Sequence, residues 1–169
     1  MKVRPGRARA SEERLRRTYT SLGMGELTAA AVFAVIAAGG MLPVTTTVEG
    51  RLALWSALAP LLAILVQAGV YWLLARAWAG RAPMPGRIAG VYRGLRILDP
   101  ILLAAGLLGV IVWFPAGADA VLVLVVWLFG VLEYLNYFVV RLAYPAHRWP
   151  SEVTRWRTPR LVRDLGRAA

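Results

Sequence analysis

One carboxylate stands inside an apolar run of this chain. Ala120 to Leu142 reads AVLVLVVWLFGVLEYLNYFVVRL, and Glu133 is its single acid. On a helix at 100° per residue, Asn136 and Tyr137 fall about 60° and 40° to either side of Glu133, while Tyr134 points elsewhere. Glu133, Asn136 and Tyr137 therefore form one polar face on a helix of Val, Leu and Phe that Arg141 closes. An acid within a membrane span costs on the order of 3 kcal/mol, so it turns to a bundle interior or a wet cavity. There it can hold a cation, carry a proton or act as a general base. The plainer reading is a hydrogen-bonded strut that locks helices together.

Four further side chains belong to the same half of the chain's hydrocarbon layer. Gln67 lies 16 residues past Arg51, roughly 24 Å along its helix, and Glu133 lies roughly 21 Å past Asp119, taken as the helix N-cap. The matching depths predict a contact between Gln67 and Glu133, worth about 0.6 kcal/mol in a membrane. Tyr71 follows Gln67 one turn on, on the same face. Glu26 sits within a turn or two of the start of the first apolar run. Asp99 precedes Pro100, and this pair reads as an N-cap and first helical residue in preference to a ligand-binding role.

The elements that must position these groups are membrane helices. The chain has 169 residues, of which 59% are hydrophobic, with a mean hydropathy of +0.57. That exceeds what a soluble domain carries. Four runs reach or approach spanning length: about 22–42, 52–75, 97–114 and 120–142. The expected fold is all-α, a polytopic four-transmembrane-helix antiparallel bundle with short interfacial amphipathic helices. Residues 1–21 read as a basic N-terminal arm, disordered to Ala10 and then a surface helix from Ser11. Residues 22–142 form the transmembrane domain, and 143–169 a basic C-terminal tail. Ala30, Ala34 and Ala38 form a small-residue stripe for close helix packing. Trp55 marks one interfacial belt, and Trp72 and Trp78 the other. Ile88, Val91, Tyr92 and Leu95 line one face of a surface helix with Arg87, Arg93 and Arg96 turned away. After Thr158 and Pro159, RLVRDL reads as a very short basic helix lying on the membrane.

The net charge of +11 is explained by topology rather than by nucleic acid. Of the 20 Lys and Arg, 19 fall before the first run, between the second and third, or from Arg141 onward; only Arg51 lies elsewhere. This predicts both termini in the cytoplasm, with the basic segments on anionic inner-leaflet headgroups. The predominance of Arg with many Ala and Gly suggests a bacterial plasma membrane. With no cysteine, thiol and Cys-metal chemistry are excluded, and the lone His147 cannot build a common zinc site. No HExxH, GxSxG, Walker or dinucleotide motif occurs, and neither a metal nor a cofactor is expected. Because no nucleophile accompanies the acids, the reading favours a non-enzymatic binding or accessory protein. It would hold a cationic group, a lipid headgroup or a partner, either a second copy or another membrane protein, in an acidic pocket ringed by Arg93, Arg96 and Arg141. The alternative is an inner-leaflet lipid enzyme or proton-coupled small transporter using Glu133.

Overall fold

The structure, a computed structural model, describes residues 5–78, 82–140 and 158–168, with side chains from residue 12 onward. Among the described residues the chain is all-helical. It comprises α1 (Pro5–Ala38), a one-turn 3-10 segment (Pro43–Thr46), α2 (Val48–Trp78), α3 (Gly86–Val112), α4 (Ala118–Phe138) and α5 (Arg160–Arg167). Helices α1 to α4 are each long and apolar enough to cross a membrane, the architecture of a multi-pass membrane protein. Arg141, His147 and the rest of 141–157 lie outside the described residues.

Helix α2 is the hub. Half of its apolar window (50%) is buried, against 17–22% in the other three, because α1, α3 and α4 all pack on it. Its seam with α1 is a backbone contact: a Cβ added at Gly23 would stand 2.9 Å from the Gly69 carbonyl oxygen, and one at Gly69 3.0 Å from that of Gly23. Glycine at both positions lets the helices meet this closely. The expected alanine stripe is not that seam, since Ala30 is buried, Ala34 half-buried and Ala38 exposed.

The helix ends follow local chemistry. The Gly39 amide donates back to the Val35 carbonyl and Gly40 takes φ 66°, so α1 stops at Ala38, short of the expected boundary near Leu42. Thr47 Oγ1 accepts from the Gly50 amide at 3.0 Å and so caps α2, with Glu49 in the first turn. Before α4, Gly117 at φ 61° is the capping residue; Asp119 lies in the first turn and is not the N-cap.

Two expected breaks are absent. The surface helix and first span are one helix, within which Thr18 and Thr20 fold their hydroxyls back onto the Arg14 and Arg16 carbonyls without interrupting it. Likewise the amphipathic stretch from Ile88 and the third span form a single α3, with Asp99 and Pro100 inside it. Pro100 has no N–H for the Arg96 carbonyl, and Tyr134 of α4 supplies a donor instead at 3.2 Å. Asp99 is therefore no N-cap. In the same way Pro60 lies within α2, and the Ser56 carbonyl it leaves without a helical donor sits close against Gly106 of α3.

The core divides into two clusters. Toward the hairpin connections it is aliphatic, built on Leu54, Leu58, Leu61, Val110 and Val123. At the other end it is aromatic, built on Tyr19, Tyr71, Trp78, Tyr92, Tyr137 and Phe138. Trp78 is buried in this cluster, and Trp72 is half-buried and packs against it, so both also serve the bundle interior. Aromatic side chains serve here because they fill space while carrying a polar tip.

Candidate functional site

A hydrogen-bonded chain crosses three helices at the aromatic end. Trp72 Nε1 of α2 donates to Tyr137 Oη of α4 at 3.2 Å, and Tyr137 Oη donates to Glu26 Oε1 of α1 at 2.5 Å. Glu26, which the sequence leaves without a partner, is thus held from 111 residues away. Glu133, one turn back along α4, shares a hydrogen bond with the Asn136 side chain and lies within electrostatic range of Glu26. Its Oε2 is buried and meets no hydrogen-bond donor among the described residues. The face of Glu133, Asn136 and Tyr137 expected from helical spacing is therefore assembled, with Glu26 and Trp72 added to it.

Beside this chain lies a cavity of about 320 Å³. Glu26, Trp72, Asn136 and Tyr137 line it from the bundle, and Tyr19, Pro159, Arg160, Leu161 and Arg163 line it from the terminal end. This volume is at the lower end of the range for small-molecule sites, about 300–1,000 Å³.

The terminal wall is α5, which does not lie free on a membrane surface. Leu161, Asp164, Leu165 and Ala168 are buried at i, i+3, i+4 and i+7, an apolar stripe interrupted by one acid. That acid explains the docking. Tyr71 Oη donates to Asp164 Oδ2 at 2.9 Å, and Arg160 Nε stands 3.6 Å from the same oxygen. The Arg160 guanidinium also lies over the Tyr19 ring, 4.8 Å from its centroid. At the other end of α5, Arg93 donates to the carbonyls of Leu165 (3.3 Å) and Ala168 (2.9 Å), acceptors that a helix C-terminus leaves unpaired. Arg93 therefore holds α5 and does not ring the acids. Pro159 occupies the N-cap position, so the capped start expected at Thr158 is also revised.

Gln67 and Asp99 form a separate pair. Gln67 Nε2 donates to Asp99 Oδ2 at 2.5 Å, and Tyr92 Oη donates to the Gln67 carbonyl at 2.8 Å. Gln67 therefore meets Asp99 and not Glu133. The continuity of α3 is the reason, since it carries Asp99 down to the level of Gln67. Tyr71, one turn away, serves α5. The candidates thus separate into a carboxylate pocket (Glu26, Asn136 and Tyr137 on its lining, Glu133 beside it), a buried amide–carboxyl pair (Gln67, Asp99) and a docking residue (Tyr71). Arg141 falls outside the described residues. Sequence reasoning missed Trp72, Arg160 and Asp164 as members of the site. The one available signal was Asp164 itself, an acid on the apolar stripe of a short helix.

Among the described residues no three His, Cys, Asp or Glu side chains gather closely enough to hold a metal ion. What lines the pocket is one carboxylate (Glu26), an amide and a phenol beneath a roof bearing arginines, with the second carboxylate, Glu133, hydrogen-bonded to the lining residue Asn136. Such a set can hold a cationic or zwitterionic group. The chain matches no known family, no curated protein and no solved structure.

Proposed function

We propose that this is a binding or accessory protein of a bacterial plasma membrane, with both termini in the cytoplasm. In this reading it receives a small cationic or zwitterionic headgroup in the carboxylate pocket. The observation that carries the reading is the cavity of about 320 Å³ between Glu26, Asn136 and Tyr137 on one side and Arg160 and Arg163 on the other; Glu133 reaches it through its hydrogen bond to Asn136 and its electrostatic coupling to Glu26. An ammonium would sit toward the acids and a phosphate toward the arginines of α5. The partition of Lys and Arg along the chain supports the orientation. Arg16, Arg17 and Arg76 line an open cleft of about 720 Å³ between α1 and α2, which supports contact with anionic inner-leaflet headgroups.

The test titrates purified protein with short-chain phospholipids bearing ethanolamine, choline or glycerol headgroups. The amine headgroups are expected to bind at least about tenfold more tightly than glycerol. Glu133→Gln is expected to erase that preference while the protein still inserts and purifies normally. Equal loss of expression would make Glu133 a structural strut, and proton flux through wild-type liposomes that Glu133→Gln abolishes would make the protein a transporter.

A further inference from the structure

A second cavity lies on the far side of α2. Ala63 is about 180° round the helix from Trp72, so this groove and the carboxylate pocket occupy opposite faces. It runs between α2 and α3 with a volume of about 590 Å³, within the range of ligand sites. Its walls are almost wholly aliphatic: Leu62 and Leu102 toward one end, Val70 and Leu95 between, Leu74 and Ile88 toward the other. The rim residues Val66, Val91 and Leu98 are exposed, so in a bilayer the groove opens sideways into lipid.

The polar members of this lining are Gln67, Asp99 and Tyr92. Asp99 is 1% exposed. Gln67 occupies its Oδ2, whereas Oδ1 is buried and has no hydrogen-bond donor among the described residues. Tyr92, the phenol of this lining, is committed to the Gln67 carbonyl. A lipid tail would fill the aliphatic volume but bring no donor, and hydrocarbon leaves a polar atom unsatisfied. The missing partner is one O–H or N–H carried on an apolar body.

We propose that the α2–α3 groove is a binding site for an amphiphile whose chain lies along the aliphatic walls and whose single hydroxyl or amine donates to Asp99 Oδ1. The site is reached from the bilayer and is independent of the carboxylate pocket. Chain length sets how much of the groove is filled; the donor sets selectivity, because a site built to pair a donor rejects an isostere that lacks it.

The experiment compares three probes, 1-dodecanol, dodecylamine and 1-methoxydodecane, by native mass spectrometry of the full-length protein released from micelles. The alcohol or the amine is expected to bind about tenfold or more tightly than the ether, and whichever of the two is tighter identifies the donor. Asp99→Asn is expected to remove the preference, since its amide oxygen would accept from Gln67 and its NH2 group would face the groove. Val91→Trp fills the groove from an exposed rim position without touching the polar pair, and is expected to weaken all three probes together. Should Asp99→Asn fail to fold, the wild-type comparison and Val91→Trp decide the matter. Equal affinity of wild type for alcohol, amine and ether, or an unchanged preference in Asp99→Asn, overturns the proposal.

Discussion

Replacing Tyr71 by phenylalanine removes one oxygen from a side chain that is 0% exposed, and should release a helix 93 residues away in sequence. The hydroxyl is the donor at hydrogen-bond distance from Asp164 Oδ2, and Arg160 at 3.6 Å is too far to replace it. A hydrogen bond to a carboxylate contributes about 1.5–3 kcal/mol. Ordering a residue's backbone costs about 1–2 kcal/mol. The eight residues of α5 therefore rest on a small surplus from Leu161, Leu165, the Arg93 bonds and this one contact. A loss of about 2 kcal/mol raises the undocked fraction of α5 roughly thirtyfold, at tenfold per 1.4 kcal/mol. Amide exchange of purified protein in nanodiscs reads this directly. Peptides over 160–167 should exchange about thirtyfold faster in Tyr71→Phe, with those of α2 and α4 unchanged. Wild-type exchange in α5, or equal acceleration across the whole bundle, would refute the view that Tyr71 specifically holds α5 down.

Two other perturbations have defined outcomes. Gly69→Val would set a Cβ 2.7 Å from Leu27 Cγ at the α1–α2 crossing, so it should destabilise the protein by about 1–3 kcal/mol and lower its melting temperature in detergent. Gly25→Ala, with nothing within 4 Å of the added carbon, is the control that should leave it unchanged. Tyr134→Phe strips the donor from the Arg96 carbonyl and should cost about 0.5–1.5 kcal/mol in chemical denaturation. In a Pro100→Ala background the restored N–H should make the same change silent, and additive effects would disprove the link.

Much of the architecture was legible because hydropathy and charge act over whole helices. The four spans and the polar face of Glu133, Asn136 and Tyr137 follow from local periodicity. What local pattern conceals is how polar groups are satisfied across helices. Pro100 reads as a helix start because the chain alone does not reveal that Tyr134 will serve the carbonyl Pro100 abandons. Splitting α3 there misplaced Asp99, and with it the partner of Gln67. Glu26 looked isolated for the same reason, its phenol lying on another helix. The Arg93 side chain carries the same charge whether it faces lipid headgroups or the end of α5, so composition could not choose between them. Nor does hydropathy mark the hub, since α1 to α4 are similarly apolar and only packing sets α2 at the centre.

The two prolines have a mechanical consequence. Each sheds a peptide oxygen toward a neighbour, from Ser56 of α2 toward Gly106 of α3 and from Arg96 of α3 toward Tyr134 of α4. Sliding α3 along its axis would part the Arg96 oxygen from the Tyr134 hydroxyl and strand it in oil, at a penalty of several kcal/mol, and would drive the close Ser56–Gly106 approach into bulkier neighbours. That helix is consequently a fixed post. The short terminal segment that walls the cavity beside Glu26 hangs on that post by two Arg93 bonds and on α2 by the Tyr71 hydroxyl, a latch of three hydrogen bonds on a mast that stays still.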